Sequence, residues 1–389
     1  MRLPKALLRE PFFWGVRSLA TDGDFMQQAI LLAERARGRT SPNPLVGAVV
    51  VSQQGQVIGR GYHARAGGPH AEVVALRQAG ELARGATLFV TLEPCCHYGR
   101  TPPCTEAIIA AGIRRVVIAA LDPNPNMAGK GVQILRENGI KVETGLLELP
   151  AKQQNEVFRK YITTKRPFVI AKWAMSLDGK IATASGESKW ITGPRARAWG
   201  HRLRDEVDAI LVGVGTVLAD DPQLTTRLPS GGRNPLRIVL DSRARTPAGA
   251  RVLQAEPGAV IAVTEAADHE HVRQLRRAGA KVVQLPAGKE GIAWPALLDL
   301  LGTWEVSSLL IEGGSRVLGS AWGAGIIDKV ICFMAPSVIG GESAPGPVGG
   351  AGSDRLDAAA RLTNLRVERA GADLVIIGYP IGGRSCSQG

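Results

Sequence analysis

Hydrophobic and polar positions along the chain fall into two regions that each predict an α/β fold. Between residues 25 and 150, short apolar runs rich in β-branched residues alternate with segments whose apolar positions recur at helical spacing. We predict helices at Phe25–Arg37, Thr105–Gly112 and Val132–Gly139, and strands at Val46–Val51, Val57–Tyr62, Leu88–Leu92 and Val116–Ala120. Strands that alternate with helices predict a layered α/β sandwich.

A second α/β pattern begins after residue 167. Its predicted strands are Phe168–Met175, Ala209–Val212, Arg237–Leu240, Val260–Val263, Val282–Leu285, Ser308–Ile311 and Lys329–Ala335. Its predicted helices are Ala196–Glu206, His271–Ala278, Ala296–Gly302 and Val317–Ala324. We therefore predict two domains, at residues 25–150 and 168–380, joined at residues 151–167 by a linker that is polar and mostly helical in pattern.

Both ends of the chain lack these patterns. Residues 1–24 are basic and carry no secretory signal pattern, so we predict a disordered extension, with a remnant of a plastid targeting segment as the alternative. Residues 381–389 are predicted to form a disordered tail. No apolar run reaches the roughly 18 residues of a membrane span, so we expect a cytoplasmic protein with no membrane partner.

The charge balance is strongly basic. The chain has 47 Lys and Arg residues against 35 Asp and Glu residues, which gives a formal net charge of +12. Such a balance favours polyanions or phosphorylated small molecules. Aromatic residues make up only 5% of the chain, and no basic run is interleaved with aromatics as in single-strand binders. We expect a phosphorylated metabolite as the partner, and no nucleic acid.

Three of the five cysteines lie close together, at Cys95, Cys96 and Cys104. An odd and clustered set indicates metal binding in a reducing compartment rather than a disulfide framework. Upstream, His70 and Glu72 begin a segment of helical spacing. One imidazole and two thiolates suit a catalytic zinc whose fourth position is open to water. A carboxylate two residues after the histidine is where a zinc deaminase places its proton shuttle.

The cysteine half of the deaminase pattern departs from its common form. Tyr98 stands three residues after Cys95, where P-C-x-x-C has its second cysteine. From the residues alone, the third ligand is Cys96, His97 or Cys104. Adjacent side chains point apart, which disfavours Cys96, whereas Cys104 lies across a loop stiffened by prolines. A structural site or a redox pair is the alternative to a hydrolytic site.

The motifs HAEVVAL, TLEPCCHYGRTPPC and ALDPNPNMAGKG, together with TSPNPLVGAVVV, closely resemble the N-terminal domain of the bifunctional deaminase/reductase family of riboflavin biosynthesis. The resemblance implies a cytidine-deaminase-like three-layer α/β/α fold and hydrolytic deamination of a phosphoribosylated diaminopyrimidinone. It also implies one zinc ion per chain, held by His70, Cys95 and Cys104, with Glu72 as the catalytic proton shuttle. Cys96 stands where the family motif leads us to expect serine. Further pocket candidates are Asn43 and His63.

The resemblance continues across residues 168–341, where KWAMSLDGKIA, GESKWITG and AILVGVGTVLADDPQLTTR match the NADPH-dependent reductase domain of the same family. It implies a fold similar to dihydrofolate reductase, and no G-x-G-x-x-G follows a strand in this region. It also implies reduction of the ribosyl group of the deaminated product to a ribityl chain. Lys172 and Asp220 are both candidates for the proton donor.

The same resemblance supplies the predicted reductase site. A strand that runs into glycines and then a helix suits a pyrophosphate, and Ser242 with its neighbouring arginines suits the 2′-phosphate of NADPH. The predicted cofactor-binding residues are Ala174, Trp190, Thr216, Asp220, Ser242, Gly314, Ser315, Arg316, Val317, Leu318, Gly319 and Ser320. The predicted substrate-binding residues are Ser188, Arg204, Leu224, Arg227 and Glu312. Of these, Arg204 and Arg227 are expected to grip phosphate in a bidentate fork.

Two other functions are compatible with the sequence. The first is a nucleotide or tRNA deaminase whose C-terminal region is an inactive reductase-like domain. The second is a non-enzymatic binding protein stabilised by zinc. Oxidation of NADPH in the presence of the deaminated substrate separates the bifunctional enzyme from both. We also expect the chain to form a homo-oligomer.

Overall fold

Two β-sheets with helices on both faces form the two halves of the chain. The computed structural model describes residues 20–98, 102–125 and 127–381, so the predictions for residues 1–19 and 382–389 lie outside the described residues. The N-terminal half, residues 20–147, contains α1 (Asp22–Glu34), β1 (Gly47–Val51), β2 (Val57–Tyr62), α2 (Ala71–Ala79), β3 (Thr87–Leu92), α3 (Cys104–Ala110), β4 (Arg115–Ala120), α4 (Lys130–Glu137) and β5 (Lys141–Thr144).

The N-terminal sheet has the strand order β2-β1-β3-β4-β5. Strand β1 runs antiparallel to both neighbours, whereas β3, β4 and β5 are parallel. Successive strand residues point to opposite faces, so Val49 and Phe89 pack with residues of α1 while Val50 and Leu88 pack with residues of α2, α3 and α4. The result is a three-layer sandwich whose parallel strands direct their carboxyl ends to one edge.

Helix α1 begins at Asp22 rather than at the predicted Phe25. Thr21 caps it in a capping box, because its backbone N–H donates to Asp24 Oδ2 at 2.8 Å and its Oγ1 accepts from the Asp24 N–H at 3.3 Å. The first turn is anchored by the buried Phe25 and Met26. The predicted disordered extension is therefore wrong for residues 21–24, where a Thr-x-x-Asp pattern starts the helix.

The segment predicted as a linker is occupied by two helices, α5 (Glu148–Gln154) and α6 (Glu156–Thr164). Asn155, which lies between them, is buried, and its side-chain amide bonds both the N–H and the C=O of Leu45 at 2.8 Å. On the other side, Lys160 of α6 forms an ion pair with Asp328. The segment is a helical connector that packs against both halves.

The C-terminal half, residues 168–381, alternates strands and helices through most of its length. Its strands are β6 (Phe168–Met175), β7 (Ala209–Gly213), β8 (Leu236–Leu240), β9 (Val260–Val263), β10 (Lys281–Gln284), β11 (Ala287–Gly288), β12 (Gly291–Ile292), β13 (Ser308–Gly313), β14 (Lys329–Met334), β15 (Leu362–Ala370) and β16 (Asp373–Pro380). Its helices are α7 (Pro194–Glu206), α8 (Val214–Asp220), α9 (His269–Arg277), α10 (Trp294–Thr303) and α11 (Ser315–Gly323).

The C-terminal half is built on a nine-stranded sheet with the order β10-β9-β8-β7-β13-β6-β14-β16-β15. The strands from β10 to β14 in this order are parallel, and β16 and β15 extend the sheet in antiparallel fashion. Phe168 and Ile170 pack on the face covered by α7, and Val169 and Ala171 pack on the face covered by α10 and α11. Such sheets bind ligands at the carboxyl ends of their strands, and those of β7, β13 and β6 lie side by side.

Among the helices in the described part of the chain, none combines the length and the apolar character that a membrane span requires.

Candidate functional site

The three predicted zinc ligands converge in the N-terminal half. His70 is the N-cap of α2, Cys95 follows β3, and Cys104 is the first residue of α3. His70 Nδ1 lies 3.1 Å from Cys104 Sγ and 3.4 Å from Cys95 Sγ, and the three ligand atoms lie within 4.8 Å of one another. In the part of the chain that the structure describes, Cys96 and His97 do not belong to this group. The geometry therefore favours Cys104 as the third ligand.

The donor atoms fit a zinc ion. One imidazole nitrogen and two sulfurs are a ligand set of catalytic zinc, which leaves a fourth position for water. Hydrogen bonds from the Cys104 thiol and from His70 lower the pKa of Cys95, against the effect of its burial. The backbone N–H of Cys104 also donates to Cys95 Sγ at 3.3 Å. The site thus stabilises a thiolate, which is the form that binds metal.

Glu72 lies in the first turn of α2 and is 3% exposed. Burial raises its pKa to about 7. A carboxyl group that exchanges its proton near neutral pH is suited to general acid–base work. Among the described residues, Glu72 lies next to the ligand group without belonging to it.

His63 and Asn43 extend the site away from the ligands. The ring of His63 meets the ring of His70 edge-on, with their centroids 5.4 Å apart. His63 Nδ1 lies 3.1 Å from the carbonyl oxygen of Pro69, and its Nε2 lies 3.2 Å from Asn43 Nδ2. Burial lowers the pKa of His63, so a neutral ring that donates to Pro69 and accepts from Asn43 accounts for both contacts.

These groups open into a cavity of about 420 Å³. That volume lies in the range of roughly 300–1,000 Å³ that is usual for small-molecule sites. The connector and the C-terminal half contribute to its wall through Phe158, Ile162 and Glu305. The N-terminal half contributes Pro42, Asn43, Pro44, Val46, His63, Ala66, Gly67, Gly68, His70, Glu72, Leu92, Glu93, Cys95, His97, Asp122, Asn124 and Met127.

Glu93, which joins β3 to the ligand loop, was not among the site residues predicted from the sequence. Its carboxylate is buried and accepts hydrogen bonds from the backbone N–H groups of Asp122 at 3.1 Å, Gly129 at 3.0 Å and Val132 at 3.2 Å. Glu93 thereby fixes the loop before α4, which lines the cavity, to the segment that carries Cys95. A carboxylate placed at the end of a buried strand was the signal that could have identified it.

A buried charge network lies at the carboxyl ends of β6 and β13. Glu312 accepts hydrogen bonds from Arg204 Nε at 2.8 Å and from Arg204 Nη2 at 2.7 Å, and Lys172 Nζ lies 3.7 Å from the same carboxylate. Burial acts to raise the pKa of Glu312, but the charges of Arg204 and Lys172 outweigh it and lower the pKa to about 2. Glu312 is therefore ionised at neutral pH.

Arg204 does not present the free edge that a bidentate phosphate grip requires. Its Nε–Nη2 edge faces Glu312, and its Nη1 donates to the carbonyl oxygen of Thr225 at 3.1 Å. The prediction that Arg204 binds phosphate in a bidentate fork is therefore wrong. Arg227 lies nearby, and its Nη1 contacts Thr225 Oγ1 at 3.2 Å. Its side chain is the one of the two arginines that has an edge available to an anion.

His201 was missed by the sequence analysis, although it lies on α7 one turn before Arg204. Its Nδ1 accepts a hydrogen bond from the Arg227 N–H at 3.3 Å. Burial, together with the charges of Arg204 and Arg227, lowers the pKa of His201 to about 4. The ring is therefore neutral at physiological pH and adds no charge to the two arginines beside it.

Asp220, the last residue of α8, gathers two side chains from the loop after β6. Ser188 Oγ donates to Asp220 Oδ1 at 2.9 Å, and Lys189 Nζ lies 3.8 Å from the same oxygen. Next along the chain, the ring of Trp190 is 68% exposed and lies 4.7 Å from the guanidinium carbon of Arg197. An exposed indole held in this way offers a flat face to a ligand.

In the turn from β13 into α11, the first residues are accessible to a ligand and the later ones are packed against other parts of the chain. A Cβ added at Gly314 would lie 3.5 Å from Thr216 Oγ1, so Thr216 adjoins this turn. The first N–H groups of a helix have no partner within it and suit a phosphate. Leu318, by contrast, is 2% exposed, and Ser320 Oγ accepts from Trp294 Nε1 at 2.9 Å. The beginning of the predicted Gly314–Ser320 segment is its accessible part.

The other members of that segment differ in their surroundings. Arg316 is exposed, and Val317 packs against the core formed by α10 and the sheet. Gly319 is in close contact with the loop after β14, because a Cβ there would come within 2.0 Å of the Gly349 carbonyl oxygen. Ser315 accepts a hydrogen bond at its carbonyl oxygen from the Gly349 N–H at 2.9 Å.

The remaining predicted residues are divided between the sheet edge and the core. Ala174 lies near the carboxyl end of β6, and Ser242 follows the carboxyl end of β8. A Cβ added at Gly291 of the β11–β12 hairpin would lie 3.5 Å from Ser242 Oγ. Leu224, a predicted substrate contact, is 3% exposed and belongs to the core on the α7 face. Its backbone is therefore the part that a ligand can reach.

Two family models match the two halves separately. Residues 19–120 match the cytidine and deoxycytidylate deaminase zinc-binding region, and residues 167–376 match the RibD C-terminal domain. The first match includes the three converging ligands, and the second includes the Glu312 network. These matches confirm the predicted fold class, in which a cytidine-deaminase-like half precedes a dihydrofolate-reductase-like half.

Relatives match nearly the whole chain. The riboflavin biosynthesis protein RibD of Aquifex aeolicus is 46% identical over 355 residues, which cover 91% of this chain and 97% of that protein. The structure of Acinetobacter baumannii RibD is 41% identical and superposes with a TM-score of 0.83 over 92% of this chain and 99% of that one. The Thermotoga maritima diaminohydroxyphosphoribosylaminopyrimidine deaminase/5-amino-6-(5-phosphoribosylamino)uracil reductase is 39% identical, with a TM-score of 0.78 and coverage of 92% and 98%. The chain therefore belongs to the RibD family of bifunctional deaminase/reductases of riboflavin biosynthesis.

Proposed function

We propose that this chain deaminates diaminohydroxyphosphoribosylaminopyrimidine in its N-terminal half and reduces 5-amino-6-(5-phosphoribosylamino)uracil with NADPH in its C-terminal half, the two activities for which the Thermotoga maritima relative is named. The observation that carries the proposal is the convergence of His70, Cys95 and Cys104 beside the buried Glu72, in a chain whose other half holds the Glu312 network. The first site suits hydrolysis, and Arg227 beside the Glu312 network suits the phosphate of an anionic sugar phosphate.

In the deamination, the residues that would hold one zinc ion are His70, Cys95 and Cys104, and the ion would supply the Lewis acidity that activates water. Glu72 takes one proton from the attacking water and passes it to the ring nitrogen. It then takes the second proton from the newly added hydroxyl group and passes it to the amino group, so that the C–N bond breaks and ammonia leaves as the carbonyl forms. Asn43 and the residues of the cavity wall orient the pyrimidine, and the buried surroundings keep bulk water from the reacting carbon. Proton transfer by Glu72 requires that it stay outside the ligand set, as its position beside the cluster allows.

In the reduction, NADPH would supply the hydride, and the groups that would bind it are Trp190, Thr216, Asp220, Ser242 and the start of α11. Arg227 binds the substrate phosphate, and Glu312 accepts hydrogen bonds from the sugar hydroxyl groups. We assign the proton donor to Lys172. Its Nζ lies close to Glu312, whereas Asp220 accepts a hydrogen bond from Ser188 and is thereby held as an acceptor. A lysine near a carboxylate can donate its proton to the sugar oxygen and recover it from solvent.

We further propose that the chain forms a homo-oligomer and works in the cytoplasm. Strand β15 is the edge of the nine-stranded sheet and exposes Leu365 and Val367. An exposed edge that carries apolar side chains is a template for pairing with another strand. Light scattering of the purified protein tests this part of the proposal, and a monomer at micromolar concentration would contradict it.

One assay tests both activities. The purified protein is incubated with the phosphoribosylated diaminopyrimidine, with and without NADPH, while ammonia release and NADPH oxidation are followed separately. We expect ammonia release in both cases and NADPH oxidation after it. Ammonia release from cytidine or tRNA without NADPH oxidation would instead indicate a nucleotide or tRNA deaminase with an inactive C-terminal half. Bound zinc without either reaction would indicate a binding protein.

A further inference from the structure

The segment that carries Asn43 to the zinc cavity is anchored in the C-terminal half. Ser41 Oγ donates to Asp208 Oδ2 at 2.6 Å and lies 2.9 Å from Ser307 Oγ. Asp208 precedes β7 and Ser307 precedes β13, so both lie at the amino edge of the nine-stranded sheet. Ser41 is therefore a residue of the deaminase half whose side chain is fixed by the reductase half.

The contact of Ser41 with Asp208 and Ser307, here called the anchor, belongs to a buried hydrogen-bond network. Asp208 Oδ2 also accepts from the N–H of Ser307 at 2.9 Å and from its Oγ at 2.7 Å. The Ser308 Oγ donates to the same oxygen at 3.1 Å. Ser307 and Ser308 are buried, and the side chain of Asp208 is 9% exposed. Hydrogen bonds to a charged and buried acceptor are among the stronger ones in proteins.

Neighbouring contacts hold the same segment against α7. Arg39 Nη2 bonds both carboxylate oxygens of Asp205, at 3.0 Å and 2.8 Å. Gly38 has a φ of 73°, and a Cβ there would come within 2.7 Å of Glu206 Cα. The chain thus approaches α7 closely just before Ser41 and has little freedom to move away from the C-terminal half.

From Ser41 the contacts lead directly to the metal ligands. The Asn43 N–H donates to the Thr40 carbonyl oxygen at 2.7 Å in a tight turn. Asn43 Nδ2 lies 3.2 Å from His63 Nε2, and His63 packs against the ring of His70. An uninterrupted series of contacts therefore joins Asp208 in the reductase half to His70 in the zinc site.

We propose that Ser41 is a positioning residue for deamination, through which Asp208 and Ser307 of the reductase half set the place of Asn43 in the zinc cavity. Ser41 does not touch the substrate, and its effect is exerted through Asn43. The inference rests on the proposed deamination at this site. It makes the deaminase half dependent on the reductase half for its substrate affinity, although the two halves have separate sheets and separate cores.

The variant Ser41→Ala tests the proposal because it removes the anchor and leaves the Asp208–Ser307–Ser308 contacts in place. We expect the KM of deamination to rise about three- to tenfold with a smaller change in kcat, as for the loss of one hydrogen bond that orients a binding group. Ser41→Thr, which keeps the hydroxyl, should restore the KM. Reduction of the pre-deaminated substrate should keep its KM in the same preparations. Ser52→Ala is the control, since Ser52 Oγ accepts hydrogen bonds within the β1–β2 turn, on the far side of the half.

Hydrogen exchange supplies a readout that does not depend on activity. The amides of residues 40–46 should exchange about tenfold faster in Ser41→Ala than in Ser52→Ala, because the anchor no longer opposes local opening. An unchanged deamination KM with unchanged exchange would overturn the proposal. Faster exchange with an unchanged KM would show that Ser41 holds the segment in place without affecting substrate binding, and this result would overturn its positioning role. A wild-type protein that releases no ammonia would overturn the proposed deamination itself, which is a different result from an active wild type that Ser41→Ala leaves unaltered.

Discussion

The two halves hold their functional groups by different kinds of interaction. In the N-terminal half, His70 and Cys104 come from helix starts only 34 positions apart, and their Nδ1 and Sγ atoms lie 3.1 Å apart. In the C-terminal half, Arg204 and Glu312 are 108 positions apart and are joined by opposite charges in a buried setting. A metal site of the first kind can lose its catalytic carboxylate without harm to the fold. A charge network of the second kind loses stability together with activity.

The halves also differ in how they use the nine-stranded sheet. The reductase groups lie at the carboxyl ends of its strands, whereas Asp208 and Ser307 bind the deaminase half at the amino ends. A strand of five or six residues spans roughly 17–20 Å, so the reductase groups are separated from the interface by the depth of the sheet. We therefore expect substitutions at one site to leave the other reaction intact, which gives each variant an internal control.

The largest effect is expected for Glu72→Gln. The amide keeps the size of the side chain but cannot carry the proton, and general acid–base catalysis typically contributes about 10²–10⁴-fold. We expect ammonia release to fall by about 10³-fold, while zinc content by elemental analysis and NADPH oxidation with the pre-deaminated substrate are unchanged. Deamination that survives in this variant would show that another group moves the proton.

Glu312→Gln should produce the largest loss of stability. It leaves Arg204 and Lys172 without their counter-charge, and breaking a buried ion pair costs about 3–5 kcal/mol. Thermal or urea unfolding of the C-terminal half should show this loss, and reduction should disappear while deamination persists. The control is Asp299→Asn at the exposed pair with Arg166, for which a change of about 0–1 kcal/mol is expected.

The stability that the Glu312–Arg204 ion pair contributes should depend on pH in a defined direction. The pKa of Glu312 is lowered from 4.5 to about 2 in the folded chain. A group whose pKa is depressed by folding contributes its stability above the unfolded value and loses it as the pH falls through the folded value. The stability difference between wild type and Glu312→Gln should therefore be constant above pH 4.5 and shrink towards pH 2. A difference that grows on acidification would contradict this account.

A smaller effect is expected for Glu93→Gln. The amide keeps one acceptor oxygen, so it can satisfy only part of the set formed by the N–H groups of Asp122, Gly129 and Val132. An unsatisfied buried donor costs about 1–3 kcal/mol, and the cavity loop should loosen. We expect the KM of deamination to rise about tenfold with normal zinc content. Glu81→Gln, at an exposed position of the same half, should leave the KM unchanged.

The parts of the fold that the sequence predicted well are those with unbroken apolar runs. Val260–Val263 is a strand with the predicted bounds because a parallel strand that is buried on both faces is apolar throughout. Phe168–Met175 also has the predicted bounds, although Lys172 interrupts its apolar run. Strand β5 was missed because it is short and only Val142 in it is buried. Strand β15 was missed because five consecutive residues of its middle are exposed, so neither an apolar run nor a clean alternation marks it.

The functional sites also differ in how far the sequence alone could predict them. The place of the zinc site could be predicted because histidine and cysteine are chemically distinctive and lie within a short stretch. The residues alone left Cys96, His97 and Cys104 open as the third ligand, and only the family resemblance and the fold favour Cys104. The interactions of Asp208 with Ser41 could not be predicted, since the two residues are 167 positions apart and neither type is distinctive. The bidentate role expected for Arg204 failed for a related reason. A sequence shows that an arginine is present, but only the fold shows that a buried carboxylate already occupies its fork.

The smallest effect is expected for Cys96→Ser. This variant tests whether His70, Cys95 and Cys104 are sufficient as the zinc ligands. Cys96 is adjacent to Cys95 but lies outside the group of mutually close ligand atoms among the described residues. Its thiol therefore has no place in a set already formed by His70, Cys95 and Cys104. We expect one zinc per chain and a kcat of deamination within about twofold of wild type, because serine is close to cysteine in size and the substitution removes no ligand and opens no core cavity. Cys104→Ser is the comparison and should lose zinc, because a hydroxyl is a much poorer ligand than a thiolate. Loss of zinc in Cys96→Ser would instead show that this thiol competes for the metal, and the difference between the two halves would then be smaller than the geometry indicates.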